Sequence, residues 1–525
     1  MLEYDIFHDR LKQSFEKCEY KCLSKIKRGI EKECLRVTPD GRIAQTDHPK
    51  VLGSALTHPY ITTDYSEALL EFVTPAFHSP QEVVFFLTQL HQFVTHHIGD
   101  ELLWSSSMPC SFGSEDEIRI AEFGSSNSGQ MKHIYRRGLE YRYGKKMQCI
   151  AGIHYNFSFP EEFWNCLKKR SGFNGHLRDF KSHTYFGMIR NFERYAWLIL
   201  YLFGASPAVC SSFFDVPPQN LKLLDPKTYY LPEATTFRMG DFGYKSKVQQ
   251  ELNISYSSLD EYTRELIKAI QTKHPLYEQI GVKIEGQYKQ LSDSVLQIEN
   301  EYYGHIRPKR IAQRGERPTL ALKRRGVEYL EVRCLDLNPF VPTGIDEDQV
   351  RFMDIFITYT ALEESTLVSK EHMLRLRENH QRVVTHGRQK GIELFRHGDP
   401  VLFDDWAEQI FKRLTLVAVL LDNVEKKELY QRALNKQYEK LKHPSLTPSG
   451  LIIEKLVKDK KSFTEYALDL TKENTAALKQ KQFSPDFTQE LAEQATKSLE
   501  EQKQIEASDT LSLDEYIKKY FDGFL

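Results

Sequence analysis

Short segments in which polar and apolar residues alternate restrict the fold of this sequence more than any other feature. Residues two apart in a β-strand point to the same face of a sheet, so such a segment has one polar and one apolar face. The pattern occurs several times in the first two thirds of the chain. The polar positions are Glu31 and Glu33 in GIEKECLRV, Glu71 in EALLEFVTP, His154 and Asn156 in IHYNFSF, Gln297, Glu299, Glu301 and Tyr303 in LQIENEYY, and Glu331 and Arg333 in VEYLEVRCLDL.

Two interpretations of these polar faces are open. An antiparallel sheet often exposes one face to water, and these residues would then lie on a solvated surface. Such faces usually mix Lys, Thr and Ser, however, whereas these carry mostly carboxylates with one histidine and one arginine. Carboxylates that converge need a cation, and oxygen ligands favour Mg²⁺. We therefore predict a magnesium site formed by Glu31, Glu33, Glu71, His154 and Glu331.

A magnesium site of this kind indicates a phosphate-containing substrate, because Mg²⁺ held by protein acids usually also contacts phosphates. The sequence has no G-x-x-x-x-G-K-[ST] motif and no G-x-G-x-x-G after a predicted strand. GSSNSG (124–129) is typical of an ordinary turn. Arg333 and Arg136 are then expected to meet the phosphate charge. The basic clusters RPKR (307–310) and LKRRG (322–326) either lie on a solvated surface or help to hold a polyphosphate.

Helical periodicity is present at both ends of the chain and between the predicted strands. Residues 4–27 and 80–98 have helical spacing, and Asp346 is typical of a helix N-cap, with Gln349 three residues later. Nearly all of the chain after Asp346 is helical in period. We predict one catalytic unit (1–525), with a β-rich core that holds the active site (26–345) and a mostly helical portion packed on that core (346–525).

Charge and composition argue against several function classes. The chain has 71 basic and 73 acidic side chains. A formal charge of −2 gives no reason to expect binding to nucleic acid or to an anionic membrane. Residues 195–214 carry no charge, but Gly204 and Pro207 interrupt them, so we predict a buried helix followed by a loop rather than a membrane span. The first residues lack a secretory signal and the eight cysteines show no C-x-x-C spacing, so we expect a reduced, cytoplasmic protein.

The same segments, in this order, resemble those of the glutamate–cysteine ligase family of the proteobacterial type. The matching stretches are GIEKECLRV, LGSALTHPYITTDYSEALLEFVTP, WSSSMPC, GIHYNFSF, YLFGASPAVCSSF, LQIENEYYGHIRPKR and GVEYLEVRCLDLNPF. The resemblance implies an α+β fold. Its core would be an antiparallel sheet curved into a funnel, as in the glutamine-synthetase-like carboxylate–amine ligases, with helices around it.

The resemblance also assigns roles to individual residues. It implies magnesium ligands at Glu31, Glu33, Asp64, Glu71, His154 and Glu331, and it places Arg333 near the phosphates of ATP. We take Arg333 and Arg136 as the catalytic residues. Arg136 also matches a position around the amino-acid substrates. The other residues predicted to bind substrate are Tyr135, Leu139, Gln148, Asn156, Arg238, Tyr244 and Tyr303.

The implied reaction is the ATP-dependent ligation of the γ-carboxylate of glutamate to the amine of cysteine. It requires Mg²⁺, for which Mn²⁺ could substitute, and passes through a γ-glutamyl phosphate to γ-glutamylcysteine, the first step of glutathione synthesis. No obligate protein partner is implied. Two alternatives stay open: a related ligase that joins glutamate to another amine, and a non-enzymatic scaffold whose helical last third binds a partner.

Overall fold

A seven-stranded antiparallel sheet lies at the centre of the molecule. The computed structural model describes residues 2–15, 20–241, 243, 248, 252–313, 315–481 and 484–523. Its strands, in chain order, are β1 (Lys27–Val37), β2 (Ile61–Thr63), β3 (Leu69–Val73), β4 (Leu102–Leu103), β5 (Ile153–Ser158), β6 (Ala208–Cys210), β7 (Lys222–Asp225), β8 (Thr228–Tyr230), β9 (Lys283–Ile284), β10 (Gln287–Tyr288), β11 (Ile306–Lys309), β12 (Tyr329–Leu335), β13 (Glu393–Arg396) and β14 (Asp399–Leu402).

The central sheet is open, with the strand order β11-β12-β5-β1-β3-β2 and with β4 paired to the end of β1. The remaining strands form a small sheet of order β6-β8-β7 and two hairpins, β9–β10 and β13–β14. Because every pair in the central sheet is antiparallel and helices surround it, the predicted α+β class is confirmed. The register sets polar residues side by side: Glu31 opposite His154, Glu33 opposite Glu71, and Glu331 opposite both Asn156 and Arg307.

Helices make up most of the rest of the described chain. In chain order they are α1 (Leu2–Phe15), α2 (Pro80–His97), α3 (Asn127–Tyr143), α4 (Glu161–Ser171), α5 (Leu177–Phe203), α6 (Leu259–Gln271), α7 (Pro275–Ile280), α8 (Pro318–Arg325), α9 (Glu347–Leu362), α10 (Lys370–His386), α11 (Phe403–Glu425), α12 (Leu429–Lys442), α13 (Pro448–Asp459), α14 (Phe463–Gln480), α15 (Pro485–Ser508) and α16 (Leu513–Asp522). Asp346 caps α9 as predicted, since its side chain accepts a hydrogen bond from the backbone N–H of Gln349.

The apolar face of the sheet packs against helices α2 and α5, on which α9 packs in turn, and these elements form the main core. Ile30 and Cys34, which alternate with the glutamates of β1, are fully buried there. Burial of an aliphatic side chain such as that of Ile30 contributes about 1.5–3 kcal/mol. Arg28 is also buried on this side, where its Nη2 atom lies 3.0 Å from Oδ2 of Asp354 on α9. This ion pair joins the first strand to the helical portion of the chain.

Two local predictions are correct only in part. The helical spacing of residues 4–27 corresponds to α1, which ends at Phe15, and a separate 3₁₀ helix at Tyr20–Lys25. The charge-free segment 195–214 begins as a buried helix end that is followed by a short loop, as predicted, but strand β6 and a 3₁₀ turn complete it. Within the described residues, no helix has both the length and the hydropathy needed to cross a bilayer.

The predicted strand at LQIENEYY is wrong, because residues 299–301 form a 3₁₀ turn. Glu299 accepts hydrogen bonds from Arg317 and Thr319. Glu301 accepts one from Arg142. Arg142 lies on α3, and Arg317 and Thr319 lie at the start of α8, so tertiary contacts hold these carboxylates in a turn that alternation alone could not reveal.

Candidate active site

A cavity of about 470 Å³ lies over the polar face of the sheet. The facing wall is helix α3, and the segment from Leu291 to Tyr303 completes it together with helix α16. Most of the residues predicted for the site meet there although they are distant in sequence. Those that line the cavity are Glu31, Glu33, Asp64, Glu71, Tyr135, Arg136, Leu139, Gln148, His154, Tyr303, Glu331 and Arg333.

Carboxylates and one imidazole form the acidic half of the cavity floor, on β1, β3, β5 and β12. Nδ1 of His154 lies 3.1 Å from Oε2 of Glu31 and 4.0 Å from Oε1 of Glu331. Each of these three residues can offer one ligand atom within 4.8 Å of the other two. Nε2 of His154 lies 3.8 Å from Oε1 of Glu33. Asn156 donates from Nδ2 to Oε1 of Glu31 at 2.8 Å, so it orients that carboxylate, and its contact with substrate stays a prediction.

The electrostatics of the acidic half differ from one glutamate to the next. Burial and the charges of Glu31, Asp64 and Glu33 raise the pKa of Glu71 well above its usual range. Burial likewise raises the pKa of Glu33, and the charge of Asp64 raises it further. These raised pKa values mean that the protein alone supplies too little positive charge to offset the burial of Glu33 and Glu71 and the repulsion from their neighbours.

Three cations on β11 and β12 form the basic half of the floor. Nζ of Lys309 lies 2.9 Å from Oε1 of Glu331, and Nη1 of Arg333 lies 3.1 Å from Oε2 of the same carboxylate. Burial opposes ionisation of Glu331, but Lys309 and Arg333 hold its pKa well below the usual range. Burial lowers the pKa of Arg307, and Arg333 lies close enough for repulsion between the two charges to lower it further.

Arg307 and Lys309 are functional candidates that the sequence analysis left undecided. They belong to RPKR, and because they are two residues apart on β11 they share the cavity face. Arg310 lies outside and donates to the carbonyl oxygens of Gly326 and Arg325. LKRRG ends α8, where Arg324 and Arg325 pair with Glu316. Period-two spacing was therefore the signal that could have assigned Arg307 and Lys309 to the cavity.

Helix α3 brings Tyr135, Arg136 and Leu139 to the cavity. It begins at the GSSNSG segment, where the side chain of Ser126 accepts a hydrogen bond from the N–H of Gly129, so this segment is a helix cap. Nε of Arg136 donates to the carbonyl oxygen of Asp64, and the guanidinium lies 4.5 Å from the ring centre of Phe123. Arg136 thus lies against the acidic half, away from the basic half where Arg333 is found.

Arg238 lies behind Arg333, in the lining of a second cavity of about 450 Å³ that shares Tyr303 with the first. Its Nη2 atom donates to the backbone oxygen of Arg333 at 2.8 Å, and Nη1 lies 3.7 Å from Oδ1 of Asp336. A Cβ atom at Gly152 would lie only 1.9 Å from Nη2 of Arg238, so a larger residue there would displace this guanidinium. Tyr244, the remaining predicted residue, lies outside the described residues.

Helix α16 supplies two residues that the sequence analysis did not connect with the site. Tyr516 and Tyr520 line the cavity beside α3, and Ile517 packs on Met131 and Ile134 of α3. The helix begins with a capping box in which Ser512 and Glu515 satisfy each other's backbone N–H groups. Its amphipathic pattern predicted a helix, but nothing local indicated that the helix covers this cavity.

Comparisons with known proteins identify the family. The family model for glutamate–cysteine ligase matches residues 11–383. The glutamate–cysteine ligase of Alcanivorax borkumensis is 47% identical over 504 residues, which cover 95% of this chain and 96% of the relative. That of Pseudomonas fluorescens is 45% identical over 516 residues, which cover 98% and 97% of the two chains.

Two solved structures resemble the fold. The glutamate–cysteine ligase of Francisella tularensis, solved in complex with AMP, superposes with a TM-score of 0.89 at 37% identity, covering 95% of this chain and 98% of the other. A bifunctional glutathione synthetase from Pasteurella multocida shares the fold, with a TM-score of 0.72 at 22% identity, covering 99% of this chain and 58% of the other. Together with the family match, these likenesses show that the chain belongs to the glutamate–cysteine ligase family and is a ligase.

Proposed function

We propose that this chain joins the γ-carboxylate of glutamate to the amine of cysteine at the expense of ATP, giving γ-glutamylcysteine, ADP and phosphate. A carboxylate does not react with an amine at neutral pH, because oxide would have to leave. Transfer of the γ-phosphoryl group of ATP to glutamate makes an acyl phosphate, and the cysteine amine then displaces phosphate from the acyl carbon. The observation that carries this proposal is the meeting of an acidic and a basic half in one cavity.

The acidic half fits a hard divalent cation. Its donors are carboxylate oxygens with one imidazole. Burial, and then repulsion from the neighbouring carboxylates, raises the pKa of Glu71, and a bound cation would offset both effects. The carbonyl oxygen of the Asn156 side chain is also buried, with no hydrogen-bond partner in the described part of the chain. We assign Mg²⁺, or Mn²⁺, to Glu31, Glu33, Asp64, Glu71, His154 and Glu331. When bound, the ion offsets phosphate charge and polarises the phosphoryl oxygens.

The basic half fits the phosphate chain of ATP. Arg307 and Arg333 lie side by side, and their Nε atoms are buried without a hydrogen-bond partner among the described residues. Buried N–H groups of this kind are costly unless a ligand accepts from them, and a polyphosphate offers many oxygens. We propose that both guanidinium groups bind the phosphates. Lys309 holds Glu331 in place between the two halves.

The amino-acid substrates are assigned to the part of the cavity beside α3. Tyr135, Leu139 and Gln148 line it together with Tyr303, and Arg238 supports Arg333 from behind. A pocket of this composition suits a small side chain with a polarisable thiol. It also limits the access of water, which would otherwise hydrolyse the acyl phosphate.

We propose that residues 26–345 and 346–525 work as one catalytic unit. The Arg28–Asp354 ion pair is buried between them. The Oγ atom of Ser498 on α15 accepts a hydrogen bond from the N–H of Ser54 at 2.9 Å. Helix α16 contributes Tyr516 and Tyr520 to the cavity. Loss of the helical portion would therefore open the active site as well as the core.

The test is an assay of ADP release with ATP, glutamate, cysteine and Mg²⁺, omitting one component at a time, with the product identified by mass spectrometry. We expect release to require glutamate and Mg²⁺ and the product to be γ-glutamylcysteine. Hydroxylamine added in place of cysteine should trap the acyl phosphate as γ-glutamyl hydroxamate. ADP release that does not depend on glutamate, or that is faster with another amine than with cysteine, would overturn the assignment.

A further inference from the structure

Glu193, His305 and His380 form a second cluster of potential metal ligands, separate from the carboxylates of the active site. Glu193 lies on α5, His380 on α10, and His305 directly before β11. Each residue can offer one ligand atom within 4.8 Å of the other two. Glu193 and His380 are buried, and His305 is half-buried. Three elements that are distant in sequence thus bring two imidazoles and one carboxylate together.

Each histidine of this cluster contacts Glu193 through one ring nitrogen. Nε2 of His380 lies 3.0 Å from the backbone oxygen of Glu193. Because a carbonyl oxygen only accepts, Nε2 carries the hydrogen, and in the neutral ring Nδ1 carries the lone pair. Histidines that bind metals commonly donate their other ring N–H to a backbone carbonyl in this way. Nδ1 of His305 lies 3.0 Å from Oε2 of Glu193, and a bound cation would replace the hydrogen between these two atoms.

The cluster also has access to a further ligand. All three residues line the second cavity, of about 450 Å³, which leaves room for a water molecule beside the ion. Two nitrogen donors and one carboxylate suit Zn²⁺ and its neighbours in the transition series, whereas Mg²⁺ prefers oxygen ligands. The ligand types therefore distinguish this cluster from the acidic half of the active site.

We propose that Glu193, His305 and His380 bind one zinc-class transition-metal ion, with the remaining coordination position open to the second cavity. The ion would also stiffen the wall between the two cavities. The backbone N–H of Arg333 donates to the carbonyl oxygen of His305 at 2.7 Å, so fixing His305 fixes the segment behind Arg333.

The test measures Zn²⁺ binding by calorimetry to the full-length protein after removal of metals by a chelator. Excess Mg²⁺ is present to saturate the carboxylate site, and cysteine is left out because its thiol itself binds zinc. Visible absorption of the Co²⁺-substituted protein reports the nitrogen ligands. The variants are His305→Ala and His380→Ala, with His386→Ala on the exposed end of α10 as the matched control.

We expect the wild-type protein to bind one Zn²⁺ that Mg²⁺ does not displace. His305→Ala and His380→Ala should weaken binding by about 100-fold or more, and His386→Ala should leave it unchanged. Thermal unfolding checks that each variant is folded, and His305→Gln replaces His305→Ala if that protein is not. Absence of binding in the wild type, or equal affinity in a folded His305 variant, would overturn the proposal. Zinc affinity that Glu331→Gln abolishes would also overturn it, because the ion would then belong to the active site.

Discussion

Nδ1 of His154 lies 3.1 Å from Oε2 of Glu31, although 123 positions separate the two residues in the sequence. The contact exists because β1 and β5 pair with Glu31 directly opposite His154. The pairing of β1 with β3 sets Glu33 opposite Glu71 in the same way. Strand register thus brings acidic residues from separate segments together at the proposed cation site.

Glu71→Gln should stabilise the metal-free protein at neutral pH. The folded-state pKa of Glu71 is raised above its ordinary value of 4.5, so its ionised form costs stability as the pH rises from 4.5 through the raised value. Each pKa unit by which the folded and unfolded states differ changes the free energy of unfolding by about 1.4 kcal/mol. Thermal unfolding in a chelator should give a higher Tm for the variant at pH 7 and equal Tm values below pH 4.5. A lower Tm at pH 7 would contradict the repulsion inferred for this residue.

Glu331→Gln, the same chemical change on β12, should have the opposite effect on the metal-free protein. The pKa of Glu331 is lowered below 4.5, so its ionised form stabilises the fold above pH 4.5 and this stability is lost as the pH falls through the lowered value. The substitution leaves Lys309 and Arg333 without their carboxylate and should cost about 3–5 kcal/mol. Calorimetry should show weaker Mg²⁺ binding in Glu71→Gln and in Glu331→Gln than in the wild type. Unchanged Mg²⁺ affinity in either would remove that residue from the cation site.

Arg307→Lys and Arg333→Lys should each lower kcat/KM by about 100-fold or more. A lysine keeps the charge but not the planar pair of donors that the phosphate oxygens are proposed to meet. Arg310→Lys is the matched control, because Arg310 directly follows β11 but points away from the cavity and donates to the backbone oxygens of Gly326 and Arg325. Steady-state rates at varied ATP measure the effect. Near-normal activity of both test variants would argue against phosphate binding.

Gly152→Ala should raise the KM for an amino-acid substrate. The added Cβ atom would lie 1.9 Å from Nη2 of Arg238 and displace that side chain from the oxygen of Arg333. Gly29→Ala on β1 is the control, since a Cβ atom there would meet its nearest neighbour at 3.5 Å, an ordinary contact. Equal KM values for both variants and the wild type would show that the position of Arg238 does not affect substrate binding.

Replacing Cys34 or Cys334 by alanine should leave turnover intact apart from packing losses. Both thiols are buried on the apolar face of the sheet, opposite the cavity, and burial raises the pKa of Cys34 to about 11. A protonated thiol is a poor nucleophile, and the proposed reaction needs no protein nucleophile. Loss of activity in a folded variant, measured by the ADP-release assay, would require a different mechanism.

Local patterns predicted much of this structure correctly. Alternation found the strands that carry Glu31, Glu71, His154 and Glu331, because the period of a strand is a property of consecutive residues. The same logic failed at 297–303, where Glu299 and Glu301 bind nearby arginines in a 3₁₀ turn. Polar and apolar residues therefore alternate both on the two faces of a strand and in a turn whose carboxylates bind arginines. A single sequence does not distinguish the two cases.

The sequence by itself determined which residues alternate, where helices such as α9 begin, and that acids are concentrated on predicted strand faces. Tertiary structure decided which strands pair, that Arg307 and Lys309 face the same cavity as Glu331, and that Arg238 lies behind Arg333. It also brought α16 over α3 from the far end of the chain. The physical reason is that alternation and capping act between near neighbours, whereas register and helix docking depend on burial shared by segments hundreds of residues apart.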